Sequence, residues 1–361
     1  MDNIVREYFD WQDQDAETDE IMAQGVLTPP RASSFTEASW RLLASFWHPV
    51  AYSAEVTTRP VAVQLLDQRL VVYRANGTVA IADDVCIHRG APLSRGAIAD
   101  GTLVCPYHGL RFDGSGRCVA IPAAGPGAVI PARLHLATHL AAERYGIVWC
   151  CLSGEPRAPL PDWPALDMPG LQTVSLAPAD WACSAFRHVE NFNDVAHFAY
   201  VHAGTFGNPD DPLVAPHDVT ATEFGLLRSL PVNQIDRDTF SATAAPATVM
   251  RYDYDYALPF SSALTIASPD GRHEYIYDAV SPVSAARSRI FIAKARDYDL
   301  DQPIADWIAF QQAVNEEDRW FVESQQPEEI PMDLRAEAHI LADAWSIAFR
   351  RLWAKLGYTV Y

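Results

Sequence analysis

Two short segments place sulfur and imidazole side by side: Cys86-Ile87-His88 and, after sixteen intervening residues, Cys105-Pro106-Tyr107-His108. Thiolates and neutral imidazoles are ligands for soft and borderline metals. Two of each can close a tetrahedral zinc site, so ligand count alone leaves the metal open. Spacing narrows the choice. Short zinc knuckles bring Cys ligands together in one arm, whereas each arm here offers one Cys and one His. That division suits a [2Fe-2S] cluster with the Cys pair on one iron and the His pair on the other. Gly90 and Gly109, just after the arms, suit backbone that packs close to an inorganic group or takes positive φ, and Pro106 stiffens the second arm.

A second set of ligand types lies in Glu190-Asn191-Phe192-Asn193-Asp194-Val195-Ala196-His197-Phe198-Ala199-Tyr200-Val201-His202. On a helix, Asp194 and His197 fall on neighbouring parts of one face. His202 lies further along and needs a helix end or bend to converge with them. Two imidazoles and a carboxylate suit nonheme iron(II) with positions left for dioxygen. On this segment alone, ordinary polar or core histidines remain the alternative. Asn191, one turn before Asp194, can point into a substrate region, tune the metal, or bond local backbone.

Several elements must position these groups. Apolar runs at Val61–Leu66, Leu70–Tyr73 and Thr78–Ile81, with Asn76-Gly77 as a turn, predict short strands that put both Cys-His arms on strand-flanking loops. A further strand is expected over Gly146–Cys151. Five prolines between Pro156 and Pro169 mark a domain junction. The expected fold is α+β: an acidic extension over residues 1–39, an antiparallel β domain over 40–165, and a mixed domain over 166–361 with a central antiparallel sheet and flanking helices. A helical segment around residues 188–199 is expected to carry Asp194 and His197. Tyr252-Asp253-Tyr254-Asp255-Tyr256 alternates as a half-exposed strand does. Toward the end, Asp333 is a helix cap, and Ile340, Leu341, Ala344, Trp345, Ala348 and Leu352 form an apolar stripe ended by Gly357.

The two motifs in this order, with Arg89-Gly90 after the first arm and Gly109 after the second, resemble the Rieske nonheme iron oxygenases. The likeness spans residues 40–330 and is nearest to the aromatic monooxygenase and O- or N-demethylase branches. Glu190-Asn191-Phe192-Asn193-Asp194 with Glu317-Asp318 and Glu323-Ser324-Gln325 is similar to purine-alkaloid N-demethylases. The resemblance implies that Cys86, His88, Cys105 and His108 hold a Rieske cluster and that His197 and His202 hold a mononuclear Fe(II). Asp318 is the third ligand by the same pattern, with Glu317 as its rival. It further implies that Asp194 bridges toward the cluster of the next subunit in a head-to-tail homotrimer.

By that resemblance the chain is a terminal oxygenase for an aromatic or heteroaromatic small molecule. It inserts one oxygen atom of O2 into a C–H bond with two supplied electrons, and a methoxy or N-methyl carbon so hydroxylated leaves as formaldehyde. A Rieske aromatic hydroxylase or ring dioxygenase is the nearest alternative, and a nonenzymatic Rieske electron carrier is one from another class. No Gly-x-Gly-x-x-Gly fingerprint accompanies the motifs. Electrons from NADH are therefore expected through a separate flavin reductase and ferredoxin system. Phe192, Phe198, Phe260 and Leu264 could contribute an apolar substrate wall, though for each taken singly ordinary core membership is the favoured reading.

Composition excludes other classes. A formal charge of -19, from 27 Lys and Arg against 46 Asp and Glu, opposes nucleic-acid binding. No apolar run is long enough for a membrane helix, and the start has no signal-peptide pattern, so a cytoplasmic protein is expected. Cys118, Cys150, Cys151 and Cys183 form no disulfide framework and read as small buried groups.

Overall fold

Alternating apolar residues build three antiparallel sheets in the computed structural model, which describes residues 28–235 and 247–360. Residues 1–27, the acidic part of the expected extension, lie outside the described residues. In chain order the first ten strands are β1 (His48–Tyr52), β2 (Val61–Leu65), β3 (Gln68–Ala75), β4 (Thr78–Asp83), β5 (Ala97–Ala99), β6 (Thr102–Val104), β7 (Arg111–Phe112), β8 (Cys118–Ala120), β9 (Thr138–Arg144) and β10 (Ile147–Cys151). The remaining eight are β11 (Gln172–Ser175), β12 (Ala179–Trp181), β13 (Val219–Ala221), β14 (Gly225–Ile235), β15 (Ala247–Ala257), β16 (Ser261–Ala267), β17 (His273–Ser284) and β18 (Arg287–Arg296). The main helices are α1 (Glu37–Ala44), α2 (Ala185–Asn193), α3 (Phe198–Val201), α4 (Ile304–Ser324) and α5 (Ala344–Leu356).

Two compact units result. The first draws on Ser53–Val63 and Arg69–Ala141. Its β3-β4 hairpin runs in register from Leu70↔Asp83 to Ala75↔Thr78 and closes through Asn76 and Gly77, both at positive φ. Such a two-residue turn matches the twist of its strands. One hairpin face, Val71, Tyr73, Ala80 and Ala82, packs into a core with Leu93, Leu103, Leu110, Phe112 and the thiols of Cys86 and Cys105. The small sheet β5-β6-β7-β8 brings the second arm to the β6-β7 connection, which Val104↔Arg111 pins. Both arms are thus held from below by apolar side chains.

The second unit comprises Pro29–Tyr52, Gln64–Gln68 and the chain from Ala142 onward. Its sheet runs β11-β18-β17-β16-β15-β14-β13, with β12 also on β18. Tyr252, Tyr254 and Tyr256 are buried while Asp253 and Asp255 look outward, as the alternation predicts. Ser184 caps α2 by accepting from the Arg187 N–H. Two arginines then lock α2 in place: Arg350 on α5 makes a paired contact with Glu190, 2.8 Å to each oxygen, and Arg187 reaches Glu337 at 2.8 Å.

Two local expectations are corrected. The helix read around 188–199 ends at Asn193, and Asp194 has extended backbone. Its carboxylate accepts from the Ala196 and His197 N–H groups, a side-chain turn that competes with the helix. Near the end, Asp333 caps only a short turn over Leu334–Ala336, and α5 begins at Ala344. Glu337, drawn to Arg187 and Arg350, lies in extended backbone between them, so Ile340 and Leu341 are exposed rather than part of the stripe. Trp345, Phe349 and Trp353 bury that face instead, and Gly357 ends the helix at positive φ.

Candidate metal centres and substrate cavity

The two Cys-His arms have one geometry. In each, the Cys N–H donates across the loop, Cys86 to Ala91 O and Cys105 to Leu110 O, both at 2.8 Å. In each, a glycine N–H returns to the Cys carbonyl, from Gly90 at 2.8 Å and Gly109 at 3.0 Å. Both glycines sit in the left-handed region, φ 71° and 72°, where a side chain is strained. Asp84 anchors the first arm by accepting from the N–H and hydroxyl of Ser94, 2.7 Å each. The thiols are buried and the imidazoles exposed, with the His88 and His108 rings 4.7 Å apart. Burial, together with the neighbouring Cys105, pushes the Cys86 thiol up to about 11. A thiolate pair at this depth therefore needs a cationic partner, which an iron–sulfur cluster supplies.

The second centre is a triangle of acceptors. His197 Nε2 and His202 Nε2 lie 3.2 Å apart, and Asp318 Oδ1, delivered by α4, is 3.3 Å from each. The other ring nitrogens are already committed: His197 Nδ1 donates to Asp194 Oδ2 at 2.9 Å, and His202 Nδ1 donates to Glu317 Oε2 at 2.8 Å. A carboxylate only accepts, so each Nδ1 carries hydrogen and both Nε2 lone pairs face Asp318. Three converging acceptors repel one another unless a cation sits among them. Ligand distances near 2.1 Å on one face of a divalent ion give donor separations of about 3 Å, as found here. Against burial, which opposes charge, Asp194 and Asp318 raise the His197 imidazole to about 9, so its Nε2 lone pair takes up either a proton or, in the proton's place, a metal cation. The protein has thus built a site for positive charge, and two His with one carboxylate match iron(II).

Local backbone explains the convergence. His197 starts the single turn α3, and His202 ends it at φ -97°, which aims both rings inward. His197, His202 and Asp318 form the one group of three or more His, Cys, Asp or Glu gathered at metal-ligand spacing among the described residues. Asn191 donates to Asp318 Oδ1 at 3.3 Å. Glu317 sits behind His202, and its Oε2 also accepts from the Thr205 hydroxyl at 2.8 Å. Its adjacency to Asp318 was visible in the sequence, but the pairing with His202 and Thr205 was not.

Beside the triangle lies a cavity whose floor is the sheet and whose roof is α2 and α4. Phe192, Phe198 and Leu264 line it, with Tyr252, Ile266 and Val314. Phe260 does not: it stacks on Trp353, with Phe186 at its edge, inside the core. On β18, Lys294 Nζ pairs with Glu274 at 2.5 Å and donates at 2.8 Å to Gln311, which lies about two turns before Asp318 on α4, in the cavity wall. Among the described residues, no helix is long and apolar enough to cross a membrane.

Comparison with known proteins matches both halves of the chain to family models. Residues 46–139 match the Rieske [2Fe-2S] domain, and residues 181–358 match the vanillate O-demethylase oxygenase C-terminal domain. Among curated relatives, the methylxanthine N1-demethylase NdmA of Pseudomonas putida is 32% identical over 86% of this chain and 88% of its own length. The methylxanthine N3-demethylase NdmB of the same organism is also 32% identical, over 87% and 89%. The solved structure of Pseudomonas putida CBB5 NdmA with caffeine superposes with a TM-score of 0.78 at 29% identity, covering 88% of this chain and 92% of that one.

Proposed function

This chain belongs to the Rieske nonheme iron oxygenases as a terminal oxygenase component, and from that premise we propose that it removes an O- or N-methyl group from an aromatic or heteroaromatic small molecule. The observation that carries the reading is the acceptor triangle of His197, His202 and Asp318, with both imidazoles fixed from behind by carboxylates. Cys86 and Cys105 would hold one iron of the [2Fe-2S] cluster, His88 and His108 the other, and the triangle a mononuclear iron(II). When bound, these groups supply stored electrons and dioxygen activation, so that a methyl C–H becomes C–OH and the carbon leaves as formaldehyde.

The chain's own residues prepare that chemistry. Asp194 and Glu317 hold each ring in the tautomer a metal needs, the usual work of partners behind ligating histidines. Asn191 holds Asp318 in place from α2. Phe192, Phe198 and Leu264 exclude water and favour a flat apolar ring. Asp194 is the residue assigned to a contact between copies: a head-to-tail homotrimer would set the exposed His88 and His108 of one subunit against the Asp194 carboxylate of the next. NADH electrons arrive through a separate flavin reductase and ferredoxin system. Among the described residues the six cysteines are buried and none is joined in a disulfide, which suits a reducing cytoplasm.

The test supplies a compatible reductase and NADH, offers aromatic methoxy compounds and N-methyl heterocycles, and follows formaldehyde beside product mass. Formaldehyde matching demethylated product is expected. Oxygenated product without formaldehyde would replace the demethylase by a hydroxylase.

A further inference from the structure

The cavity has a second polar station that the oxygenase machinery does not use. His188 on α2 lines it one turn before Asn191, the residue that touches Asp318. One helical turn is about 5.4 Å, comparable to the width of one aromatic ring. Behind His188 stands Asp278 on β17, fully buried, with its two oxygens 3.1 and 3.0 Å from His188 Nε2. Among the described residues that carboxylate has no other hydrogen-bond partner, so it serves to orient one ring.

The orientation has a chemical consequence. Nε2 donates to the carboxylate, which leaves Nδ1 of the neutral ring as a lone-pair acceptor. Nδ1 is buried and has no hydrogen-bond partner among the described residues, although buried polar atoms are normally paired. Trp181, whose ring meets His188 edge-on at 4.9 Å, also lines the cavity, and its indole N–H is likewise buried without an acceptor. One acceptor and one donor are thus carried by two neighbouring side chains of the cavity wall, His188 lying one helical turn from Asn191.

Resting on the demethylase reading, we propose that His188, held by Asp278, is the specificity-determining anchor of the substrate: its Nδ1 accepts a hydrogen bond from a ring N–H or phenolic O–H, with Trp181 donating to a neighbouring oxygen. The substrate class is then a planar methylated aromatic that carries a hydrogen-bond donor beside a carbonyl or ether oxygen. A ring whose donor is capped by methyl leaves Nδ1 buried and unpaired, which a site built to hydrogen-bond discriminates against strongly.

Matched probes test this in the full enzyme with reductase and NADH. Theobromine and caffeine differ by one imide N–H replaced with N-methyl, and 4-hydroxy-3-methoxybenzoate and 3,4-dimethoxybenzoate differ by one phenol O–H. Wild type is expected to favour the donor-bearing member of the accepted pair by at least about tenfold in kcat/KM. His188→Ala should raise KM for that member about tenfold, keep its kcat within about threefold, and lift the penalty on the capped member, so that the preference between the two collapses. His188→Gln, which offers an amide oxygen, should recover part of the preference. Asp278→Asn can donate to Nε2 and move the ring proton to Nδ1, so it should weaken or reverse the preference. Equal loss on both members, or loss of mononuclear iron in His188→Ala with the cluster spectrum intact, overturns the anchor role. Wild-type turnover without donor preference overturns the inference alone, whereas no turnover of either pair sinks the demethylase reading and this inference with it.

Discussion

Replacing Glu317 separates a residue that orients an iron ligand from one that is itself a ligand. Its Oε2 takes the His202 Nδ1–H at 2.8 Å and the Thr205 hydroxyl at 2.8 Å, while His202 is 1% exposed. Glu317→Ala removes the acceptor that fixes that imidazole N–H, and water entering the space of the partly exposed carboxylate holds the ring less firmly, so it is freer to rotate or exchange tautomers. Loss of such a partner lowers metal affinity about 10- to 100-fold, or roughly 1.4–2.7 kcal/mol. Glu317→Gln keeps a neutral acceptor and should lose less. The assay is a chelator competition that reads mononuclear iron, with the visible absorbance of the cluster as internal control because its arms are untouched. Iron held as tightly in Glu317→Ala as in wild type would refute the orienting role. Complete loss of iron in Glu317→Gln, with retention in Asp318→Ala, would make Glu317 the ligand.

Three further outcomes follow from other contacts. Asp194→Asn should retain both metals yet slow the oxidation of the reduced cluster in a single turnover; an unchanged rate would remove Asp194 from the contact between subunits. Glu190→Ala leaves Arg350 and Arg187, both almost fully buried, sharing Glu337 as their remaining carboxylate, and should destabilise the second unit by about 1–3 kcal/mol in denaturant titration. Burial pushes the Glu329 carboxyl up to about 7, above its unfolded value near 4.5. The folded state then binds the proton more tightly, so stability falls as pH rises from about 4.5 to 7 and stays lower above it. Allowing for partial exposure of the carboxylate, the fall is about 1–2 kcal/mol, and Glu329→Gln should flatten it in thermal melts across that range.

Short-range pattern made much of this molecule legible. Cys86 with His88 and Cys105 with His108 stand out because ligand spacing within a loop is a local property. The strands around them follow from alternation and from Asn76-Gly77. The tyrosines of β15 read correctly for the same reason. What the sequence could not show is where side chains compete with backbone or with distant charges. Asp194 ends α2 because its own carboxylate captures two N–H groups, and Glu337 holds the chain extended because Arg187 and Arg350 reach it from remote positions. For Phe260 the core reading holds, but its stacking partner Trp353, about ninety positions away, could not be read from local pattern. The Glu317–His202 and His188–Asp278 pairings join residues from separate elements, and no spacing rule marks them.

The central claim is that one chain carries an electron-entry cluster and a separate iron site built on His197, His202 and Asp318. Metal and acid-labile sulfide analysis of the purified protein tests it most directly. Wild type should contain about three irons and about two sulfides per chain, and Asp318→Ala about two irons with the same sulfide. Stoichiometric zinc without sulfide, or a wild type whose iron is fully accounted for by the cluster, would contradict it.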